Sequence, residues 1–347
     1  MEAYSSISEA DKIVSLLFSL VNDTSLPVEA RAKRRHVRFT SIRDKPYFPI
    51  PFKETELGSA LKALEGCLAA ALANGRDCEP PGSQAHGAIT VDLEKTTAFL
   101  FQAYLARVGG LGKLDKQVKS LLKDTDLLQA QSNPYRRMAA NLYKTALAGH
   151  YYHIHGSLEA STTLRMLGLE AHRDDLVSHH EIVAVIEAAV QRFTPSQLEL
   201  LNAKHRQAGA MALSHQEFAK TPHGMTNMRL PPYSVEQLEG QTAACRLTDR
   251  GDGRLLGGIK VVELARIIAG PVIGRILAEY GADVLKVTSP SLSDVPFFQV
   301  DGNMGKRATE LDLKTDQGRR VFEQLVGDAD VVIDGYRPEA RQGHYLY

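Results

Sequence analysis

The 347-residue sequence has little of what usually announces a partner. Lys plus Arg number 41 and Asp plus Glu also 41, and neither the first 255 residues nor the remainder holds a surplus above two charges. No net field exists to draw nucleic acid or an anionic membrane, so a small or neutral partner is the expectation. Cysteine is scarce: Cys67, Cys78 and Cys245 stand apart, without CxxC spacing. That excludes a disulfide framework and a zinc knuckle, and it suits a reducing, cytoplasmic compartment, with mitochondrial or peroxisomal placement left open. Met1–Asp11 is polar and acidic, unlike a secretory leader, and no apolar run approaches the roughly 18 residues that would span a bilayer. No repeat of fixed period is visible, which argues against a solenoid.

Several catalytic signatures are missing as well. GGLGKL at 109–114 lacks the spacing and the hydroxyl residue of a phosphate-binding P-loop. His179-His180-Glu181 is not HExxH, because position 184 is Ala, and no GxSxG occurs. His153 and His155 share a strand face but have no third ligand at a metal spacing, so a hydrogen-bonded structural pair is expected. Asp124 with Asp126, and Glu54 with Glu56, flank helices and read as solvated charges. The basic run Arg31–Arg38 reads as a solvated face.

What is present is an alternation of helices with a few strands. A capping-box-like start at Ser8 precedes Ile13, Leu16, Leu17, Leu20 and Val21 on one helical face. Leu57, Leu61, Leu64, Leu68 and Leu72 predict a long helix with a buried leucine face, ended by Gly75. AITVDL reads as a strand and TTAFLFQAYLARV as a helix. Two helical stretches are expected between Leu114 and Ala148, a strand at Tyr151–His155, a helix in LEASTTLRMLGL, and short helices over 179–193, 195–208 and 214–220. TPHGMTNMRLPPYS reads as loop. TDRGDGRLLGG, with four glycines in eleven residues, is a linker at about 249–257. The expectation is an α/β protein: a helix-rich region 1–248 and a Rossmann-like parallel βαβ segment 258–347.

That last segment reads GIKVVELARIIAGPVIGRILAEYGADVLKV: a strand at Ile259–Leu264, a tight turn, a helix from Pro271, and a strand at Asp283–Val287. A third strand, Val331–Asp334, follows a helix from Thr315. Ligands of open parallel sheets sit beyond the strands' carboxyl ends, and a helix N-terminus there favours anions. Yet the turn ARIIAGPVIG lacks GxGxxG, and no acidic residue ends the second strand at Thr288. An NAD-dependent oxidoreductase therefore stays only as an alternative.

The stretch LLGGIKVVELARIIAGPVIGRILAEYGADVLKV, followed by NMGKRATELDLKTDQGRRVFEQLVGDADVVIDGYRP, resembles the start of the family III CoA-transferases. That group includes formyl-CoA transferase, carnitine CoA-transferase and α-methylacyl-CoA racemase. The resemblance implies a Rossmann-like half that holds coenzyme A, with acyl-CoA and a carboxylic acid as substrates of CoA transfer, or an acyl-CoA as substrate of racemisation. It implies no permanently bound cofactor. For coenzyme A, Lys306, Arg307 and Lys314 would meet phosphates, Ile267, Ile268, Ala269 and Leu311 would wall the adenine, and Tyr336 would stack.

The chain departs from the family pattern at Thr288-Ser289 and at Gly335-Tyr336, and the family's nucleophilic aspartate falls beyond Tyr347. The catalytic residue is therefore unassigned. A diverged copy of the family's later region is read over NPYRRMAANLYKTALAGHYYHIHG and onward, its small-domain-like part at about 134–225. The expectation is a fused double-module chain whose second module is incomplete, inactive as it stands and oligomeric. A CoA-binding partner without turnover is the other alternative.

Overall fold

Ser5 opens the first helix by accepting the Ser8 N–H, at 3.0 Å, in place of the start expected at Ser8. The computed structural model describes residues 4–21, 25–74, 88–236 and 254–336. It divides into two units, Met1–Val118 with Leu230–Ser289 and Phe297–Tyr347, and Lys119–Arg229 with Pro290–Pro296. Among the described residues no helix is long and apolar enough to cross a membrane.

The first unit begins with α1 (Ser6–Leu20), α2 (Val28–Lys33), β1 (Val37–Thr40), α3 (Glu54–Asn74), β2 (Ile89–Asp92), α4 (Leu93–Leu100) and α5 (Gln102–Leu105). β1 and β2 pair in parallel. The buried stripe of α1 is Ala10, Val14, Leu17 and Phe18, whereas Leu16 and Leu20 are exposed. In α3 the leucine face is buried only in part: Leu64 is buried and Leu68 packs against the core, whereas Leu57, Leu61 and Leu72 face out, and Ala60, Ala63 and Cys67 complete the buried side. Small side chains let α3 lie close to α1, and closeness gives the tighter packing. Glu56, expected in solvent, is buried and accepts the Tyr4 hydroxyl at 2.9 Å. Gly75, Cys78 and most of the glycine-rich linker lie outside the described residues.

The second unit holds α6 (Pro134–Arg137), β3 (Ala140–Lys144), β4 (Tyr151–His155), α7 (Ser161–Met166), α8 (His179–Val190), α9 (Pro195–His205), β5 (Ala210–Met211), α10 (His215–Lys220) and α11 (Pro222–Asn227). Its sheet is antiparallel in the order β3-β4-β5. Where two helices were expected before Ala148, the second half is strand β3. Tyr143 enters a core with Tyr135, Tyr152 and Ile154, while Leu142 and Lys144 face out, which is the alternation of a half-buried strand. The stretch read as loop contains α11, because Thr221 caps Gly224 at 2.9 Å and Pro222 suits the first helical turn. Asp126 is buried rather than solvated and accepts three backbone N–H groups, from Ala130, Gln131 and Ser132, at 2.7 to 2.9 Å.

The chain returns to the first unit with β6 (Lys260–Leu264), α12 (Ala269–Glu279), β7 (Asp283–Thr288), α13 (Pro296–Gly302), β8 (Arg307–Glu310), α14 (Asp316–Gly327) and β9 (Val331–Asp334). All four strands are parallel, in the order β8-β7-β6-β9. Successive residues of β6 serve opposite faces. Val261 packs with Val284, Ile333 and Leu277 of α12; Val262 and Leu264 pack with Val287 and Phe322 of α14. Both faces of the sheet are thus covered, the α/β arrangement read from the sequence. β8 was not anticipated, since RATE is a short, polar edge strand with three of its four residues exposed.

Candidate functional site

β6, β7 and β8 succeed one another in one direction, and β9 returns to the other side of β6. The strand order therefore reverses between β6 and β9, the place where open α/β sheets leave a crevice beyond their carboxyl ends. Two loops flank it, Ala265–Ile268 after β6 and Gly335-Tyr336 after β9. Gly270 is small for a reason: a Cβ there would press into that of Ala265 and come 3.8 Å from the Gly335 Cα. The helix α12 thus starts hard against both loops. Its N-cap, Ile268, supplies no side-chain acceptor, so the first turn keeps donors for an anion.

Six of the eight residues singled out from the sequence gather at this carboxyl edge. Ile267 is half-buried, Ile268 is 50% exposed and Ala269 is exposed, forming an apolar ledge. Leu311 and Tyr336 rest partly buried against the core under α14, and the Tyr336 N–H donates to Asp334 Oδ1 at 2.8 Å. Lys314 is exposed and precedes the cap of α14, where Thr315 Oγ1 accepts the Gly318 N–H at 3.0 Å. An exposed cation, an apolar ledge and an uncapped helix start are brought together because parallel strands end on one edge.

Lys306 and Arg307 are placed otherwise. Both lie at the start of β8, the opposite edge. The Arg307 guanidinium grips Asp283, the first residue of β7, at 2.6 and 2.7 Å. The Lys306 ammonium, with a fully buried side chain, donates to Glu263 Oε2 at 2.6 Å and to the Pro271 carbonyl at 2.7 Å. Burial draws Lys306 below the usual lysine value and pushes Glu263 above the usual carboxylate range, each opposed by the other's charge. Two of the three expected phosphate cations are thus committed to holding the sheet and α12 together.

Sequence reasoning passed over the polar groups beneath α12. Lys286 of β7 is buried and donates to Gln299 Oε1, and Gln299 Nε2 donates to the Arg266 carbonyl at 3.0 Å. This chain pins α13 to the loop that carries the apolar ledge. Asp301 is buried near Arg275. A signal was available: a Glu in VVELA and a Lys in VLKV are charges inside strands otherwise apolar enough to be buried on both faces, and such charges need partners. Elsewhere, the rings of His153 and His155 stack at 5.5 Å. Among the described residues no group of three or more His, Cys, Asp or Glu is placed to hold a metal ion. A cleft of about 900 Å³ lies in the first unit, and none of the eight residues lines it.

Comparison with known proteins bears on this edge. Residues 256–345 match the model of CoA-transferase family III. Over 327 residues the chain is 32% identical to acetyl-coenzyme A transferase nodX of Hypoxylon pulicicidum, a match covering 90% of this chain and 54% of that protein. Over 100 residues it is 42% identical to the succinate–glutarate CoA-transferase of Agrobacterium fabrum, covering 24% of this chain and 25% of that one. A solved CAIB/BAIF family protein from Brucella suis is 36% identical over 27% of this chain and 29% of its own, with a TM-score of 0.25. The chain spans about half the length of the Hypoxylon relative.

Proposed function

Because residues 256–345 match the model of CoA-transferase family III, we propose that the carboxyl edge of the β8-β7-β6-β9 sheet binds coenzyme A, in a protein that moves CoA from an acyl-CoA to a carboxylic acid. The observation that carries the reading is the reversal of strand order between β6 and β9, with the uncapped start of α12 beside an exposed apolar ledge. Ile267, Ile268, Ala269 and Leu311 wall the adenine, Tyr336 stacks, and Lys314 meets a phosphate. Lys306 and Arg307 support the edge from beneath and from the far end of β8. The activity belongs to the whole protein, with a carboxylate nucleophile outside the residues assigned here, no permanently bound cofactor, a reducing cytoplasmic setting and association into homo-oligomers.

Titration calorimetry of the 347-residue chain with CoA tests the reading, with NAD as the competing ligand. CoA binding is expected, weakened about 5- to 150-fold in Lys314→Ala by loss of a charge-assisted hydrogen bond, and weakened further by salt. Binding of NAD in preference to CoA, or CoA affinity unchanged both in Lys314→Ala and in Ile268→Asp, overturns it.

A further inference from the structure

The cleft of about 900 Å³ falls within the size range of small-molecule pockets. α3, β2, α4 and α5 form one side, and α12 and the end of α13 the other. Its walls are largely apolar: Ile89, Val91, Phe99, Leu105 and Met304 contribute.

Some of its charged groups already have partners. Lys62 pairs with Glu65 at 3.0 Å, and Asp92 caps α4 through the Lys95 N–H at 2.8 Å. Arg275 differs. Its side chain is only 19% exposed, yet its Nε stands 3.4 Å from Asp301 Oδ1, at ion-pair distance without a hydrogen bond. One terminal nitrogen reaches only the Met304 sulfur, at 3.9 Å. The Phe99 ring, 5.7 Å from the guanidinium carbon, backs the group. A guanidinium has five N–H donors in a planar fork matched to a carboxylate, and the one on the buried Nε is left unmet, which is costly. Burial raises the Asp301 carboxyl above its usual value, opposed by the charges of Arg275 and Lys306.

We infer that this cleft is a binding site for a monocarboxylic acid with an apolar body, its carboxylate held by the Arg275 fork and its chain laid over Phe99, Leu105 and Met304. This deepens the proposed function by giving an organic acid a seat apart from the CoA edge, and it rests on that reading only for the acid's role in the reaction.

The test uses octanoate, 1-octanol and octylamine, which share a chain and differ in charge, titrated into the 347-residue chain by calorimetry. Octanoate is expected to bind at least tenfold more tightly than octanol, with octylamine weakest. Arg275→Gln should remove that preference. Leu105→Trp, at an exposed position on the wall, should block all three by filling the space, and it keeps the test open if Arg275→Gln does not fold. Lys314→Ala should leave octanoate binding unchanged while weakening CoA, so failure of one site is distinguishable from failure of the other. Equal affinities for the three probes, octanoate binding unchanged in a folded Arg275→Gln, or octanoate binding unchanged in Leu105→Trp overturns the inference.

Discussion

Gly274 sits in the middle of α12, where alanine would ordinarily be more stable by about 1 kcal/mol. Here the sign reverses, because a Cβ would overlap Glu263 Oε2 and come 3.1 Å from the Lys306 ammonium. Gly274→Ala is expected to destabilise the chain by roughly 1–3 kcal/mol, the range for overpacking a filled site; urea melts against the parent decide, and a stabilised variant refutes the tight pair. Glu159, in the second unit, gives a residue-scale prediction about acid. Partial burial would raise it, but the Ser161 hydroxyl, the Ser161 and Thr162 N–H groups and the buried Arg136 guanidinium hold it down to about 2. A depressed carboxylate contributes stability that is complete above its unfolded value of about 4.5 and is lost as pH falls toward about 2. Denaturant midpoints from pH 5.5 to pH 3 should fall less steeply in Glu159→Gln than in the parent, and parallel slopes would remove Glu159 from the acid response.

Elements differ in how plainly their sequence announces them. β6 and β7 were legible because each is a largely apolar run just after a glycine, Gly258 or Gly281, and their pairing follows from the short helix between them. β8 was hidden because an edge strand needs no apolar alternation, and β3 because ANLYK buries only Tyr143 deeply. The leucines of α3 misled in part, since a sequence does not say which side of a helix its neighbour can approach: Leu64 and Leu68 reach the core, and the alanines beside them take the rest of the contact. At the candidate site, six residues were legible because strand ends are fixed by topology. The engagement of Lys306 and Arg307 was not, because it depends on carboxylates 43 and 24 residues away. Caps were more readable: Thr315 precedes α14 and accepts the Gly318 N–H. Thr315→Ala should cost about 1 kcal/mol, and since α14 leads from Lys314, fraying should also weaken CoA binding. Thr315→Ser should restore both; a serine variant no better than alanine would mean that the hydroxyl is not the cause.

At the scale of the whole molecule, the two units have separate hydrophobic cores, one around Tyr135, Tyr143, Tyr152, Ile186 and Leu198, the others around the parallel strands and α1 with α3. A ligand that binds only the folded form protects what it binds, by an amount set by its concentration over its dissociation constant, about 2.7 kcal/mol at a hundredfold excess. Local opening free energies need not be uniform across a chain, and protection is felt by those openings that disrupt the site. CoA at saturation is therefore expected to slow amide exchange in peptides spanning Val262–Val272, Leu311–Gly318 and Ile333–Tyr336. Exchange in β3, β4 and α8 should be unaffected, because none of them carries a residue assigned to CoA. Octanoate should slow exchange in α4, α5 and α12 instead. Hydrogen–deuterium exchange read by mass spectrometry on one preparation covers both ligands. CoA protection centred on the second unit, or absent from the peptide that carries Ile267 to Ala269, would remove coenzyme A from the edge where the strand order reverses.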